Sequence, residues 1–199
     1  MISKRILDVA VTALGIALLF PLLLGVAIWI KLDSPGPIFF RQVRVGRHGQ
    51  LFVLLKFRTM NEGSESKGRL ITVHGDPRIT RAGRILRRFK IDEFPQLLNV
   101  FKGEMSLVGP RPEVPRYVSS YPDDIRTTVL SVRPGITDHA SIYFRDEGKL
   151  LADSPDPEAT YVDIILPVKL KMYVRYVSER TLWLDIKTIL VTLRELVRQ

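Results

Sequence analysis

The chain contains no cysteine, which removes disulfides, thiolate zinc sites and cysteine nucleophiles and leaves any metal to oxygen or imidazole ligands. Histidine is almost as scarce. His48, His74 and His139 stand far apart with no metal-motif spacing, so a hard, oxygen-seeking cation such as Mg²⁺ is the metal this composition suits. Internal repeats, low-complexity segments and any stretch resembling a flexible linker are also missing. With 199 residues, 46% of them hydrophobic, one domain over 1–199 with a substantial core is expected. Acidic residues are outnumbered, 21 Asp and Glu against 30 Lys and Arg, for a net charge of +9. Such a balance belongs to proteins that meet nucleic acid, anionic lipid or phosphorylated substrates, and by itself does not choose among them.

Charge is absent from Val9 to Ile30, VAVTALGIALLFPLLLGVAIWI, about 22 residues and long enough to cross a bilayer. No small-residue cleavage site follows Ile30, and the run exceeds a signal-peptide core, so it is read as a membrane segment. Pro21 sits at its centre, where it lacks an N–H and crowds the carbonyl of Ala17. Lys4 and Arg5 precede the run and Lys31, Arg41, Arg44 and Arg47 follow it, so the positive-inside rule favours the cytoplasm on both sides. A single span and a re-entrant helix-break-helix over 4–33, turning at Pro21, both satisfy hydropathy.

After Pro35-Gly36-Pro37, two β-rich runs, IFFRQVRV and QLFVLLKFRTM, flank Gly46-Arg47-His48-Gly49 and predict a hairpin. In the second strand Leu54, Lys56 and Arg58 share a face. Lys56 and Arg58 then form a paired cationic tip, or a solvated strand edge. The loop NEGSESKGR, expected to be mobile, leads to one basic amphipathic helix from Thr80 through Phe101, with Arg81, Arg84, Arg87, Arg88 and Lys90 in its first half. Such a helix lies on anionic lipid or lines a phosphate site. Two stiff loops follow, Gly109-Pro110-Arg111-Pro112 and Arg133-Pro134-Gly135. Amphipathic helices are expected near Tyr161–Ser178, interrupted by Pro167, and near Leu182–Arg198, with Ile164, Ile165, Leu170, Tyr173 and Trp183 facing either the core or the bilayer interface. The fold class is α+β, mainly helical.

Asp92-Glu93 places two carboxylates in a helix otherwise full of cations, with Pro95 just downstream. Adjacent residues of a regular helix project about 100° apart, so the pair divides into two roles or merely balances the helix through ion pairs. In the first reading one carboxylate attacks phosphorus and the other holds Mg²⁺ on a diphosphate. Arg88, one helical turn before Asp92, keeps it ionised.

At these residues the chain resembles the bacterial sugar transferase family of small monotopic phosphoglycosyl transferases. The resemblance rests on KRILDV before the proline-centred apolar run, SPGPIFFRQVRVG, KFRTM, IDEFPQLLNVFKGEMSLVGPRPE and RPGIT, and so covers nearly the whole chain. It implies that Asp92 is the nucleophile, taking a sugar phosphate from a UDP-sugar with release of UMP and passing it to polyprenyl (undecaprenyl) phosphate. It implies that Glu93 assists Mg²⁺ binding, that Pro21 marks a re-entrant turn, and that the catalytic part lies on the cytoplasmic face of the bacterial inner membrane. Lys56, Arg58, Arg88 and Arg111 become substrate-binding candidates. Where many members read GWAQVNGR after RPGIT, this chain reads DHASIYFRDE, which carries a nucleotide-binding arginine over to Arg145 and leaves the sugar open. The chain also lacks the extra membrane spans of larger relatives, as a minimal catalytic version would.

Two other functions fit parts of the sequence. A membrane-anchored basic module would use the Arg81–Lys90 cluster on lipid or nucleic acid, although no nucleic-acid motif surrounds it and no nucleic-acid partner is expected beyond the donor nucleotide. A direct glycosyltransferase would release UDP in place of UMP.

Overall fold

The computed structural model describes residues 2–63, 72–73 and 75–197, the side chain of Val197 excepted. His74, Arg198 and most of the expected mobile loop therefore lie outside the described residues.

Helix α1 (Ile2–Asp33) is 32 residues long, about 48 Å at 1.5 Å per residue. It is long and apolar enough to cross a membrane. Leu14, Leu18, Phe20, Leu22, Leu24 and Ile28 are uncovered by protein, and in the whole helix only Asp8, Thr12, Val26 and Ile30 are buried. The helix runs through Pro21 without interruption. The break expected over 4–33 is thus absent as a gap in helical structure, because a proline deletes one hydrogen bond of an apolar helix and bends it without having to end it.

Both ends of α1 dock on the same polar body. The hairpin expected from the two β-rich runs forms from β1 (Phe39–Val45) and β2 (Leu51–Phe57), pairing Phe39 with Phe57 through Val45 with Leu51. Its turn closes through a 3₁₀ segment, Arg47–Gly49, with His48 left-handed at φ 57°. Helix α2 (Arg81–Arg88) is capped by Thr80, whose side chain accepts from Gly83 N. Gly83 lies so close to the carbonyl of Thr59 that a Cβ would collide with it, which lets α2 sit directly on the end of β2. The C-terminal half of α1 contributes Val26 and Ile30 to a core with Phe57 and Leu86, and Asp33 Oδ2 accepts from Ala82 N at 3.0 Å, at the start of α2.

The single helix expected from Thr80 to Phe101 is three pieces. After α2 the chain turns at Lys90, left-handed at φ 56°, enters a 3₁₀ turn, Ile91–Glu93, and resumes as α3 (Gln96–Lys102) behind Pro95. The carbonyl of Ile91 is taken up by Phe94 N at 3.1 Å. Strand β3 (Ser106–Val108) leads through the short helices α4 (Pro115–Val118) and α5 (Asp123–Val129) to β4 (Gly135–Thr137), with which it pairs in parallel. Here the N-terminus of α1 is fixed. Asp8 accepts from Ser106 Oγ (2.8 Å) and Leu107 N (3.1 Å), and Arg5 donates to the carbonyls of Val100 and Phe101 at the end of α3.

The remaining helices are α6 (His139–Tyr143), α7 (Glu147–Ala152), α8 (Pro157–Thr160), α9 (Leu166–Glu179) and α10 (Leu182–Val197). A π-helical turn, Tyr161–Ile165, joins α8 to α9, and the expected interruption at Pro167 takes the form of a change from π to α geometry just before it. Ile165, Leu170 and Tyr173 enter the largest core cluster, whereas Ile164 and Trp183 are exposed. Lys4 Nζ ties α1 to α10 through Asp185 Oδ2 at 2.6 Å.

Candidate active site

One broad pocket opens between the hairpin, the 3₁₀ turn, the Arg111 loop and the segment from α6 to α9, with Lys56, Asp92, Glu93 and Arg111 in its lining. The left-handed turn at Lys90 and the 3₁₀ geometry pull Asp92 and Glu93 off the helix surface and into this wall, where both are buried, 6% and 9% exposed.

Glu93 is held on two sides. Lys56 Nζ donates to Oε1 at 2.8 Å, and Arg111 makes a two-pronged contact, to Oε1 and, at 3.2 Å, to Oε2. Arg111 is presented by a loop fixed on both flanks. Gly109 N donates to Thr137 O (3.1 Å), Gly135 N to Pro110 O (2.9 Å), Arg44 Nη1 to Pro112 O (2.9 Å) and Val45 N to Glu113 O (3.0 Å). Burial acts against the Glu93 charge, yet Arg111 and Lys56 outweigh it and hold the carboxyl well below its ordinary range. In return the Glu93 carboxylate drives Arg111 up, while burial draws Lys56 down despite its partner.

Asp92 is the opposite case. Its Oδ1 is buried with no hydrogen-bond partner, and burial raises its pKa even though Lys56 and Arg87 pull the other way. Two adjacent carboxyls are therefore separated by environment into a neutralised anchor and a desolvated acid with one unpartnered oxygen.

The other expected site residues take different places. Arg58, though it borders the pocket, is 6% exposed and gives its hydrogen bonds to the end of α1: Ser34 O at 2.7 Å, Ser34 Oγ at 3.0 Å and the carbonyl of Pro35. Gly36, at φ 115°, lies against that guanidinium where a Cβ would overlap it. The paired cationic tip thus separates, Lys56 going to the dyad and Arg58 to the end of the apolar helix α1. Arg88 is exposed at the pocket rim, 5.5 Å over the ring of Phe89. Since α2 ends before the dyad, it is Arg87, not Arg88, whose charge favours ionised Asp92; Arg87 Nε donates to Thr59 Oγ1 at 2.8 Å. Arg145 borders the pocket but pairs with Glu195 of α10 at 2.8 Å. Glu113 escaped the sequence reading although it ends the GPRPE block; it accepts from Tyr161 Oη at 2.5 Å and pairs with Arg44 at 3.3 Å, bracing the Arg111 loop.

Among the described residues no group of three or more His, Asp or Glu converges on a metal site. A divalent cation at the dyad would have Asp92 and Glu93 as its protein ligands. With Asp92 Oδ1 unpartnered, this set fits Mg²⁺, which takes one or two carboxylates and completes its shell with water and substrate phosphate. It does not fit a metal caged wholly by protein.

Known proteins share this arrangement of sequence. The chain is 37% identical over 196 residues to a UDP-N-acetylgalactosamine-undecaprenyl-phosphate N-acetylgalactosaminephosphotransferase of Aeromonas hydrophila, covering 98% of this chain and 43% of that protein. It is 38% identical over 207 residues to a UDP-glucose:undecaprenyl-phosphate glucose-1-phosphate transferase of Caulobacter vibrioides, covering 98% and 70%. An uncharacterized sugar transferase of Bacillus subtilis, EpsL, is 36% identical over 197 residues, covering 99% and 88%. The chain thus spans less than half of the Aeromonas relative and most of the other two. The bacterial sugar transferase family model matches residues 1–199, and on that match over its full length the chain belongs to the bacterial sugar transferase family.

Proposed function

We propose that this chain moves a sugar 1-phosphate from a UDP-sugar to polyprenyl phosphate, undecaprenyl phosphate being the acceptor named for its relatives, as an early step of lipid-linked glycan assembly. The observation that carries the reading is the contrast within the dyad: Glu93 held by Lys56 and Arg111, Asp92 buried with an unpartnered oxygen. A carboxylate kept from water and from donors is a stronger nucleophile than a solvated one.

An oxygen of Asp92 attacks the sugar-linked phosphorus, the bond from that phosphorus to the bridging oxygen breaks, and UMP leaves with the oxygen. An acyl phosphate now joins Asp92 to the sugar phosphate. A phosphate oxygen of the lipid then attacks the same phosphorus, breaking the acyl bond and restoring the carboxylate. Lys56 and Arg111 keep Glu93 ionised and in place and add positive charge beside the diphosphate, and Arg87 adds more. Glu93 and Asp92 are the residues that would hold Mg²⁺, whose chemistry is to neutralise the diphosphate and ease departure of UMP.

The lipid acceptor requires a site at the membrane. Lys4, Arg5 and Asp8 fix one end of α1 and Arg58 and Asp33 the other, on a single polar body. A helix crossing the bilayer would have its ends in opposite aqueous phases. The docking of both ends supports a re-entrant helix that dips into the membrane, bends near Pro21 and returns, with the pocket on the cytoplasmic face of the inner membrane.

The test is a partial reaction. Purified chain with a UDP-sugar and Mg²⁺ but no lipid should release up to one equivalent of UMP and gain one sugar phosphate by intact mass, mapped to Asp92. Release of UDP, or an adduct on another residue, would sink the proposal.

A further inference from the structure

Beyond Arg111 the pocket wall is built by the segment from α6 to α9, whose first part, DHASIYFRDE, departs from the pattern of many family members. Its polar centre is Lys169. The residue is 4% exposed, yet it lines the pocket together with Phe144, Glu147 and Tyr161. Its ammonium pairs with the Glu147 carboxylate from the start of α7 and lies 4.9 Å from the ring centre of Tyr161 and 5.8 Å from that of Phe144. The Tyr161 ring is itself immobilised, since its hydroxyl is bound to Glu113 at 2.5 Å and it packs on Tyr117 with ring centres 5.1 Å apart.

A lysine ordinarily loses much rotamer freedom on meeting a ligand. Here two ring faces and a carboxylate have already fixed the ammonium, so little ordering remains. One of its three N–H groups suffices for Glu147, which leaves donor capacity on a side chain that lines the pocket. Glu147 in turn retains acceptor capacity. A positioned donor beside a positioned acceptor matches the hydroxyl groups of a sugar, each of which accepts from one partner and donates to another. A nucleobase offers donors and acceptors too, but binding it well calls for an open ring face, and the faces turned toward this cluster carry the ammonium.

We propose that Lys169 and Glu147 form the subsite that recognises the hexose of the donor, the ammonium donating to one sugar oxygen and the carboxylate accepting from a neighbouring hydroxyl. This rests on the donor being a UDP-sugar, as argued above. The pair acts on choice of sugar, while the dyad acts on phosphorus.

The experiment measures two constants on the full chain in lipid nanodiscs with Mg²⁺ and undecaprenyl phosphate: KM for each of a panel of UDP-sugars including C4 epimers, and the inhibition constant of UMP, which lacks the sugar. Lys169→Met keeps the length and apolar stem of the side chain. It should raise KM for the preferred donor about tenfold or more and flatten the preference between epimers, while UMP inhibition stays within about twofold. Glu147→Gln should act in the same direction. Because UMP must still bind normally, the inhibition constant also reports an intact pocket; if Lys169→Met does not fold, Glu147→Gln decides by the same two constants. Equal rises in KM and in the UMP constant would assign the cluster to the nucleotide and overturn the proposal, as would wild-type values for both. A wild-type protein that releases no UMP from any UDP-sugar would overturn the transferase reading and this subsite with it.

Discussion

Burial opposes the charge on Asp92 and on Glu93 alike, but only Glu93 has cations at both oxygens, so the two carboxyls part in chemistry and in stability. Asp92→Asn should lower turnover by about three orders of magnitude or more, because the amide cannot form the acyl phosphate. Its stability effect should be the reverse. The folded chain holds the Asp92 proton more tightly than the unfolded one, so this group's contribution is complete below the ordinary value of 3.8 and is lost as pH rises through the raised folded value. For Glu93 the contribution is complete above 4.5 and is lost as pH falls through the depressed folded value. At pH 7.5 Asp92→Asn should therefore melt higher, by the equivalent of roughly 1–2 kcal/mol, and Glu93→Gln lower by roughly 2–4 kcal/mol, since it leaves Lys56 and Arg111 without their carboxylate. Thermal unfolding of the two variants in one buffer checks this, and equal melting temperatures would contradict it. Arg111→Lys keeps the charge but loses the fork on Glu93, and should reduce kcat/KM about tenfold or more with a smaller change in melting temperature. Wild-type kinetics in both Arg111→Lys and Arg111→Ala would remove Arg111 from the site.

At the scale of elements, α1 is fixed by polar bonds at its ends and by few buried contacts between them, so its path depends on those ends and on Pro21. Pro21→Leu restores a continuous ladder of hydrogen bonds and should move part of the population toward a spanning orientation. Lys4→Ala combined with Arg5→Ala should do the same for a different reason, by releasing the N-terminus from Asp185 and from the end of α3. A cysteine placed near residue 3 and probed with an impermeant reagent from the periplasmic side reads both. Labelling of the otherwise wild-type chain would exclude re-entry, and absence of labelling in both variants would remove these residues as determinants. Arg58→Lys should loosen the other end, because one ammonium cannot reproduce the bonds to Ser34 and Pro35. A loss of stability of roughly 1–3 kcal/mol is expected from the buried acceptors left over, with little change in the inhibition constant of UMP.

Over the whole molecule, what could be read from sequence was what local pattern controls. The hairpin followed from two β-rich runs around Gly46–Gly49, and the long apolar helix from an uncharged run. The division of the expected Thr80–Phe101 helix was hidden because its pivot is Lys90, a residue with no preference for the left-handed region it adopts. The parallel pairing of β3 with β4 was hidden because each strand is three residues long and the partners are distant in the chain. Among site residues, Asp92, Glu93, Lys56 and Arg111 do come together. Arg58 was misdirected by its place in the alternation: it lies one residue past the end of β2, where the carbonyls of Ser34 and Pro35 just beyond α1, not the pleat, decide its direction. Lys169 and Glu147 belong to different helices and meet only through the tertiary fold, so no spacing rule could pair them.

Lys4 and Asp185 are separated by 181 positions, which has a bearing on biogenesis. Synthesis runs from the N-terminus, at about 5–20 residues per second, so the apolar segment leaves the ribosome many seconds before α10 exists to receive it. During that interval its N-terminal end can be held only through Arg5 at the end of α3 and Asp8 at β3, while Lys4 waits for Asp185. The last of these anchors closes only when α10 arrives, and a ribosome-released chain ending at residue 180 would never form it. Such a chain should show periplasmic labelling near residue 3 in a larger fraction of molecules than the 199-residue protein. Equal fractions would mean that α10 only records an orientation already settled by the membrane.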